Sequence, residues 1–310
     1  MSQHNITGSS LSESDQQSEQ KMSAAEGQLA ALDTWMNHAP WHPRMVPFVV
    51  YVGFLVIISA GVSYVGLWTY PVLYVLQCSL VLWLLVRYRK LLSELNWKFH
   101  WSAVPSGLFL TFAWIALGKW MSGLSQAFNY SEVEHDFDKM AALQGSANQA
   151  MYWSSISLRL LGMSIVVPMF EELFTRSLCL RALHSWKATW LGIKQVLHDL
   201  PGVGDWFMHT QAGKAASVAE PAFTSEFERT KLGDVSVFAI VASTLVFMAS
   251  HVPRDWPGCI ACGVIWCLMV KWTNREGKKQ YGLGPVIWSH GITNAALWGY
   301  CMYVGSWEFL

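Results

Sequence analysis

Long apolar runs separated by shorter polar stretches fill the chain from Val46 onward. Val46 to Trp68 is the first run long enough to cross the ~30 Å hydrocarbon core of a bilayer as a helix. Tyr70 to Val86 follows after a very short turn, and Trp101 to Leu124 is the third. Tyr152 to Leu183 reads as one long span, or as two pieces bent at Pro168, because proline removes a helical hydrogen bond and kinks a helix interior. Val235 to His251, Pro257 to Trp272 and Gly284 to Gly305 complete the set. The pattern predicts an all-α polytopic membrane helix bundle of seven transmembrane helices, or eight if the fourth run divides.

The polar stretches set the organisation. Residues 1–44 are rich in Ser, Gln and Glu with few large apolar residues, which predicts a disordered tail. Residues 45–150 hold the amino-terminal transmembrane helices, and residues 151–306 a second transmembrane unit with a polar insert at 185–234. The start of the chain lacks the basic stretch and immediate apolar core of a signal peptide. Neither end shows a lipidation box.

Composition agrees with the pattern. The chain has 310 residues, of which 53% are hydrophobic and 14% charged, against about 25% charged in an average soluble domain. The 21 basic and 21 acidic residues cancel, so no nucleic-acid partner is indicated. Arg87, Arg89, Lys90 and Lys98 follow the second span, and Lys271, Arg275, Lys278 and Lys279 follow the sixth. The positive-inside rule makes both loops and the amino terminus cytoplasmic. The acidic loop with Glu132, Glu134, Asp136 and Asp138 then falls outside. A multi-pass protein of the cell membrane follows, the inner membrane if the source is bacterial. The six Cys do not form a secreted disulfide framework.

Polar groups inside the spans carry the candidate chemistry. Glu171, Glu172 and Arg176 sit in the apolar run from Ser164 to Leu183, where a charge costs roughly 2.5 kcal/mol or more to insert. Glu172 and Arg176 are four apart, so they share a helical face and can pair. Glu171 lies about 100° round the helix and points elsewhere, partly desolvated, as suits a general base. Phe247 and His251 share a face near the end of the fifth span, and His290 and Asn294 share one within the seventh. Taken singly, such groups also serve as structural ion pairs or interhelical hydrogen bonds.

EELFTR, FMASH and HGITN resemble, in order, the E-E-x-x-x-R, F-x-x-x-H and H-x-x-x-N motifs of the CAAX prenyl endopeptidase and bacteriocin-processing (CPBP) family, also called the abortive-infection family. These are polytopic intramembrane endopeptidases. The resemblance covers Tyr152 to Tyr303. Thr175 stands where an aromatic residue often precedes the arginine, Ser177 where glycine often follows it, and the insert is long for the family. The resemblance implies that Glu171 activates a water for attack on a peptide carbonyl, assisted by His251. It implies that His290 and Asn294 hydrogen-bond the oxyanion. Glu172 and Arg176 would hold the local geometry, with Phe247 packed beside the site. No cofactor or metal is favoured. The alternative is a zinc-dependent protease, for which the chain lacks H-E-x-x-H. The implied partners are a peptide or protein substrate at the membrane and the bilayer itself. The competing class is a non-proteolytic transporter or scaffold using the same cluster.

Cys259 and Cys262 form a C-x-x-C in the sixth span, where Gly258 and Gly263 also read as small residues for close helix packing. Arg159 reads either as a snorkelling side chain or as the partner of a membrane acid. Asn5-Ile6-Thr7 and Asn129-Tyr130-Ser131 match the glycosylation pattern.

Overall fold

A computed structural model describes residues 13–127, 148–306 and 309. The acidic loop and both glycosylation patterns lie outside the described residues. Among the described residues the secondary structure is helical, without strands. The long helices are α1 (Glu13–His38), α2 (His42–Tyr64), α3 (Thr69–Arg87), α4 (Ala103–Ala127) and α5 (Gln149–Ala182). The insert folds into α6 (Trp186–Asp199), α7 (Val203–Phe207), α8 (Gln211–Ser217) and α9 (Ala222–Arg229). The chain ends with α10 (Val237–Ala249), α11 (Trp256–Thr273) and α12 (Gly284–Val304).

Five of the expected seven or eight spans stand out by length and apolar character. Among the described residues, five stretches are both long and apolar enough to cross a membrane: α2, α3, residues Ala103–Leu124 of α4, α5, and α11 with the turn before it (Pro253–Thr273). Helix α10 is apolar but shorter, at 13 residues. Helix α12 has the length, with 21 residues, but Ser289, His290, Thr293 and Asn294 dilute its apolar character. The outward faces of α2, α3 and α4 carry side chains such as Val56, Val72 and Phe112 that are more than half exposed. A soluble protein would bury such a surface; lipid accepts it.

Helix α5 is the axis of the bundle. Helices α2, α3, α10, α11 and α12 all pack on it, while α12 and α11 also pack on α4. It does not divide at Pro168. The backbone switches to a π turn over Gly162–Val166, in which Val167 N–H donates to Gly162 O, five residues back. A second π stretch runs over Leu173–Cys179. Glu171 and Glu172 therefore lie between two stretches of widened helix, a feature frequent at functional sites. Close approach at α11 supports the packing reading of its small residues. A Cβ on Gly258 would meet the Trp114 ring at 2.8 Å, and one on Gly263 would meet Thr244 Oγ1 at 2.5 Å. Cys259 and Cys262 are buried and unbonded to each other.

The polar start of the chain also differs from expectation, since residues 13–38 form a helix. Its last turns are tied to α3. Asp33 takes two hydrogen bonds from Arg87 (2.9 and 2.6 Å) and one from the Tyr88 hydroxyl (2.9 Å). Met36 is buried with Leu84 and Tyr88. Composition signals the shortage of apolar residues but not that so few suffice when a neighbouring helix supplies partners.

Candidate active site

The motif residues converge on one cavity of about 330 Å³ between α5, α10, α11 and α12. Glu171, Phe247, His251, His290 and Asn294 all line it. Glu172 and Arg176 are absent from its wall, at 0% and 1% exposure, and stand behind it. Tyr51, Tyr74, Trp114 and Arg159 line its remaining side.

The hidden layer fixes the exposed one. Arg176 Nε lies 3.4 Å from Glu172 Oε2, as the four-residue spacing predicts. The Arg176 guanidinium also lies over the rings of Phe247 (4.6 Å) and Trp266 (5.2 Å), where cation–π attraction substitutes for water. Its Nη1 donates to Thr175 Oγ1, and that hydroxyl donates to the Glu171 carbonyl one turn back. Glu172 Oε1 is 2.8 Å from His290 Nδ1. Trp266 stacks on the His290 ring at 4.3 Å, with the planes 24° apart. The imidazole is thus clamped on its face and at one nitrogen. Its other nitrogen, Nε2, lies 3.7 Å from Glu171 Oε2, too far for a direct hydrogen bond. Both residues line the cavity.

His251 is held by its own helix end. Its Nδ1 lies 2.9 Å from the Phe247 carbonyl and its ring 4.6 Å from the Phe247 ring. A carbonyl only accepts, so Nδ1 carries the proton in this bond, and Nε2 remains for the cavity. This explains the F-x-x-x-H spacing: Phe247 supplies both the acceptor and the packing surface.

Asn294 has a role that the sequence did not reveal. The π register at Gly162–Val166 would pair Met163 O with the nitrogen of Pro168, which has no hydrogen. Asn294 Nδ2 donates to Met163 O at 2.7 Å and supplies the missing donor. One of its two N–H groups is therefore committed to α5. On the same face of α12, a Cβ added to Gly291 would fall 2.5 Å from Ser164 O. Gly291 therefore lets α12 approach the backbone of α5 closely enough for His290 and Asn294 to reach it.

Arg159, left open by its sequence context, donates to the Tyr70 hydroxyl at 3.2 Å and lines the cavity about three turns from Glu171. A separate polar knot was missed. Arg44 makes a two-bond pair with Glu94 (2.6 and 2.9 Å), and Ser177 Oγ donates to the same carboxylate. Burial alone would raise the Glu94 carboxyl, but the hydrogen bonds and charge of Arg44, with Ser177, outweigh it and hold the group below the ordinary carboxylate range. The available signal was Glu94 itself, an acid within a strongly basic loop. Thr175 and Ser177, the two departures from the usual motif, both make buried hydrogen bonds beside the site.

A catalytic zinc needs three protein ligands and an open position. Among the described residues, no three of His, Cys, Asp and Glu converge to hold a metal ion. His290 already places one nitrogen on Glu172.

The fold and cavity define a class: an integral membrane protein, helical among its described residues, with ionisable side chains on a cavity between its helices. Residues 218–296 match the family model described as Type II CAAX prenyl endopeptidase Rce1-like, which bears out the family resemblance and supports a CAAX-type protease of the membrane. The matched segment contains Phe247, His251, His290 and Asn294, and ends before α12 does. No curated protein and no solved structure matches the chain.

Proposed function

We propose that the protein is an intramembrane endopeptidase in which Glu171 activates a water without a metal. The observation that carries this reading is the sorting of the two adjacent glutamates. Glu171 lines the cavity with both histidines, while Glu172 is sealed behind it against Arg176. Glu171 takes a proton from the water, whose oxygen adds to the peptide carbonyl carbon. The uncommitted N–H of Asn294 faces the oxyanion together with His290, which donates through Nε2 when its ring carries both protons, and such preorganised donors supply the largest stabilisation in acyl transfer. Glu171 gives up that proton by way of His251 Nε2, which passes it to the departing amine as the C–N bond breaks. The cavity gives water and a peptide a polar site within the spans, which explains why ionisable groups are tolerated there. Protein or peptide maturation at the membrane is the corresponding role, with the amino terminus and the basic loops on the cytoplasmic side.

The test uses purified protein in detergent and a panel of prenylated and unprenylated tail peptides. Cleavage by the wild type, its loss in Glu171→Gln and His251→Ala, and its persistence in chelator are the expected results. Cleavage that survives Glu171→Gln would remove the glutamate mechanism. Loss of activity in chelator with recovery on added zinc would establish the metal alternative. A protein that cuts no peptide in the panel would favour the transporter or scaffold class.

A further inference from the structure

Helix α6 is inside out for a helix in water. Its exposed side carries Trp186, Trp190, Ile193 and Leu197, spaced along one helical face, and Leu200 follows just past its end. Its covered side is small and polar. Thr189 and Gly192 are buried, and Gln195 holds the insert together through Glu220 O (2.9 Å) and Ala222 N (2.8 Å). A Cβ on Gly192 would meet the Phe223 ring at 2.6 Å, so α9 closes on this side. The apolar exposure continues past α6 through Val203, Trp206 and Met208, with Trp206 70% exposed.

A partner is required, and the surroundings specify it. Helix α6 begins four residues after α5 ends. Ser236 Oγ donates to His184 O at 2.6 Å and ties the far end of the insert to its beginning. Trp186 meets Phe238, in the first turn of apolar α10, edge-on at 5.5 Å. The stripe is thus continuous with the lipid-facing surface of the spans. With 14 residues, α6 is too short to cross a bilayer. Lys194 Nζ stands 5.6 Å above the Trp190 ring, and Lys187 is exposed beside Trp186. Aromatic rings at headgroup depth with lysines reaching toward phosphate are the signature of a helix lying in the interface.

We propose that the 185–234 insert is a monotopic membrane-surface element, with the α6 stripe at the boundary of headgroups and acyl chains and its lysines on anionic headgroups. Below it lies an apolar groove of about 440 Å³, lined by Val196 and Phe223 of the insert and by Leu178 and Leu183 near the end of α5. An apolar space of this kind takes an acyl chain in preference to water. The inference does not depend on the proteolytic reading.

The test is performed on the full chain in vesicles of phosphatidylcholine with and without phosphatidylglycerol, in a Cys78→Ser background, since the other cysteines are buried. A polarity-sensitive fluorophore is placed at Ile193→Cys, Leu197→Cys and, as the aqueous control, Glu228→Cys. Variants are used only if their unfolding temperature matches that of the background. Lipid-borne nitroxide is expected to quench the first two probes several-fold more than the third, with iodide showing the reverse order. Adding phosphatidylglycerol should deepen the lipid quenching, and Lys187→Glu with Lys194→Glu should abolish that increment. Equal iodide quenching at all three sites would overturn the proposal. So would protection of the stripe from both quenchers that disappears on dilution in lipid, which would identify a second copy as the partner.

Discussion

Glu171 and Glu172 are neighbours in the chain with opposite surroundings: one opens on a cavity, the other is closed off by Arg176, His290 and two aromatic rings. Their substitutions should therefore fail differently. Glu171→Gln is expected to lower peptide cleavage by about 10²–10⁴-fold, the usual worth of a positioned general base, with the unfolding temperature in detergent nearly unchanged. Arg176→Ala should instead destabilise by about 3–5 kcal/mol, because it strands a buried carboxylate; denaturant unfolding in detergent measures this. Arg176→Lys should recover only part of the loss, since an ammonium cannot lie flat between Phe247 and Trp266. The four-residue spacing made the Glu172–Arg176 pair legible. The clamp on His290 was not, because Trp266 and Glu172 are far from it in sequence.

Among the elements, α5 carries the site and α12 adjusts it. Proline at 168 predicted one bent span or two pieces; the π turn absorbs it, and Asn294 replaces the donor that proline lacks. Two outcomes follow from this arrangement. Asn294→Ala should destabilise the protein by roughly 1–3 kcal/mol, the cost of an unsatisfied buried carbonyl. In a Pro168→Ala background, which restores a backbone donor, that penalty should shrink, and a double-mutant cycle on unfolding free energies reads the coupling. Gly291→Ala should push α12 away from the Ser164 carbonyl, a backbone atom with little room to yield. Cleavage and unfolding temperature should fall together in that variant. Helical periodicity located both elements but carries no information on their separation, which Gly291 helps to set.

For the molecule as a whole, one end of the bundle is stitched together by polar groups. Arg44, Glu94 and Ser177 join the start of α2, the loop after α3 and the second π stretch of α5. Leu283 N–H donates to Glu94 O at 2.8 Å, and Lys231 pairs with Glu276 at 2.6 Å, so the loop before α12 and the end of the insert meet at the same end. The Glu94 carboxyl is held below its ordinary value of 4.5. A depressed folded-state value contributes stability that is fully present above the unfolded value and is lost as pH falls through the folded one. Unfolding midpoints should therefore drop more steeply in the wild type than in Glu94→Gln as the pH is lowered below 4.5. At neutral pH, Glu94→Gln should already be the less stable protein.

The sequence by itself determined the class, because lipid allows apolar residues to cover long helices and makes every buried charge conspicuous. It determined the set of candidate site residues for the same reason, together with their helical spacing. The tertiary structure decided what each of them touches. Only the packing of α10, α11 and α12 around α5 separates Glu171 from Glu172, turns His290 between them, and gives Asn294 a carbonyl to satisfy. Those contacts join residues more than a hundred positions apart, and no local pattern in the chain records the distance between two helix faces.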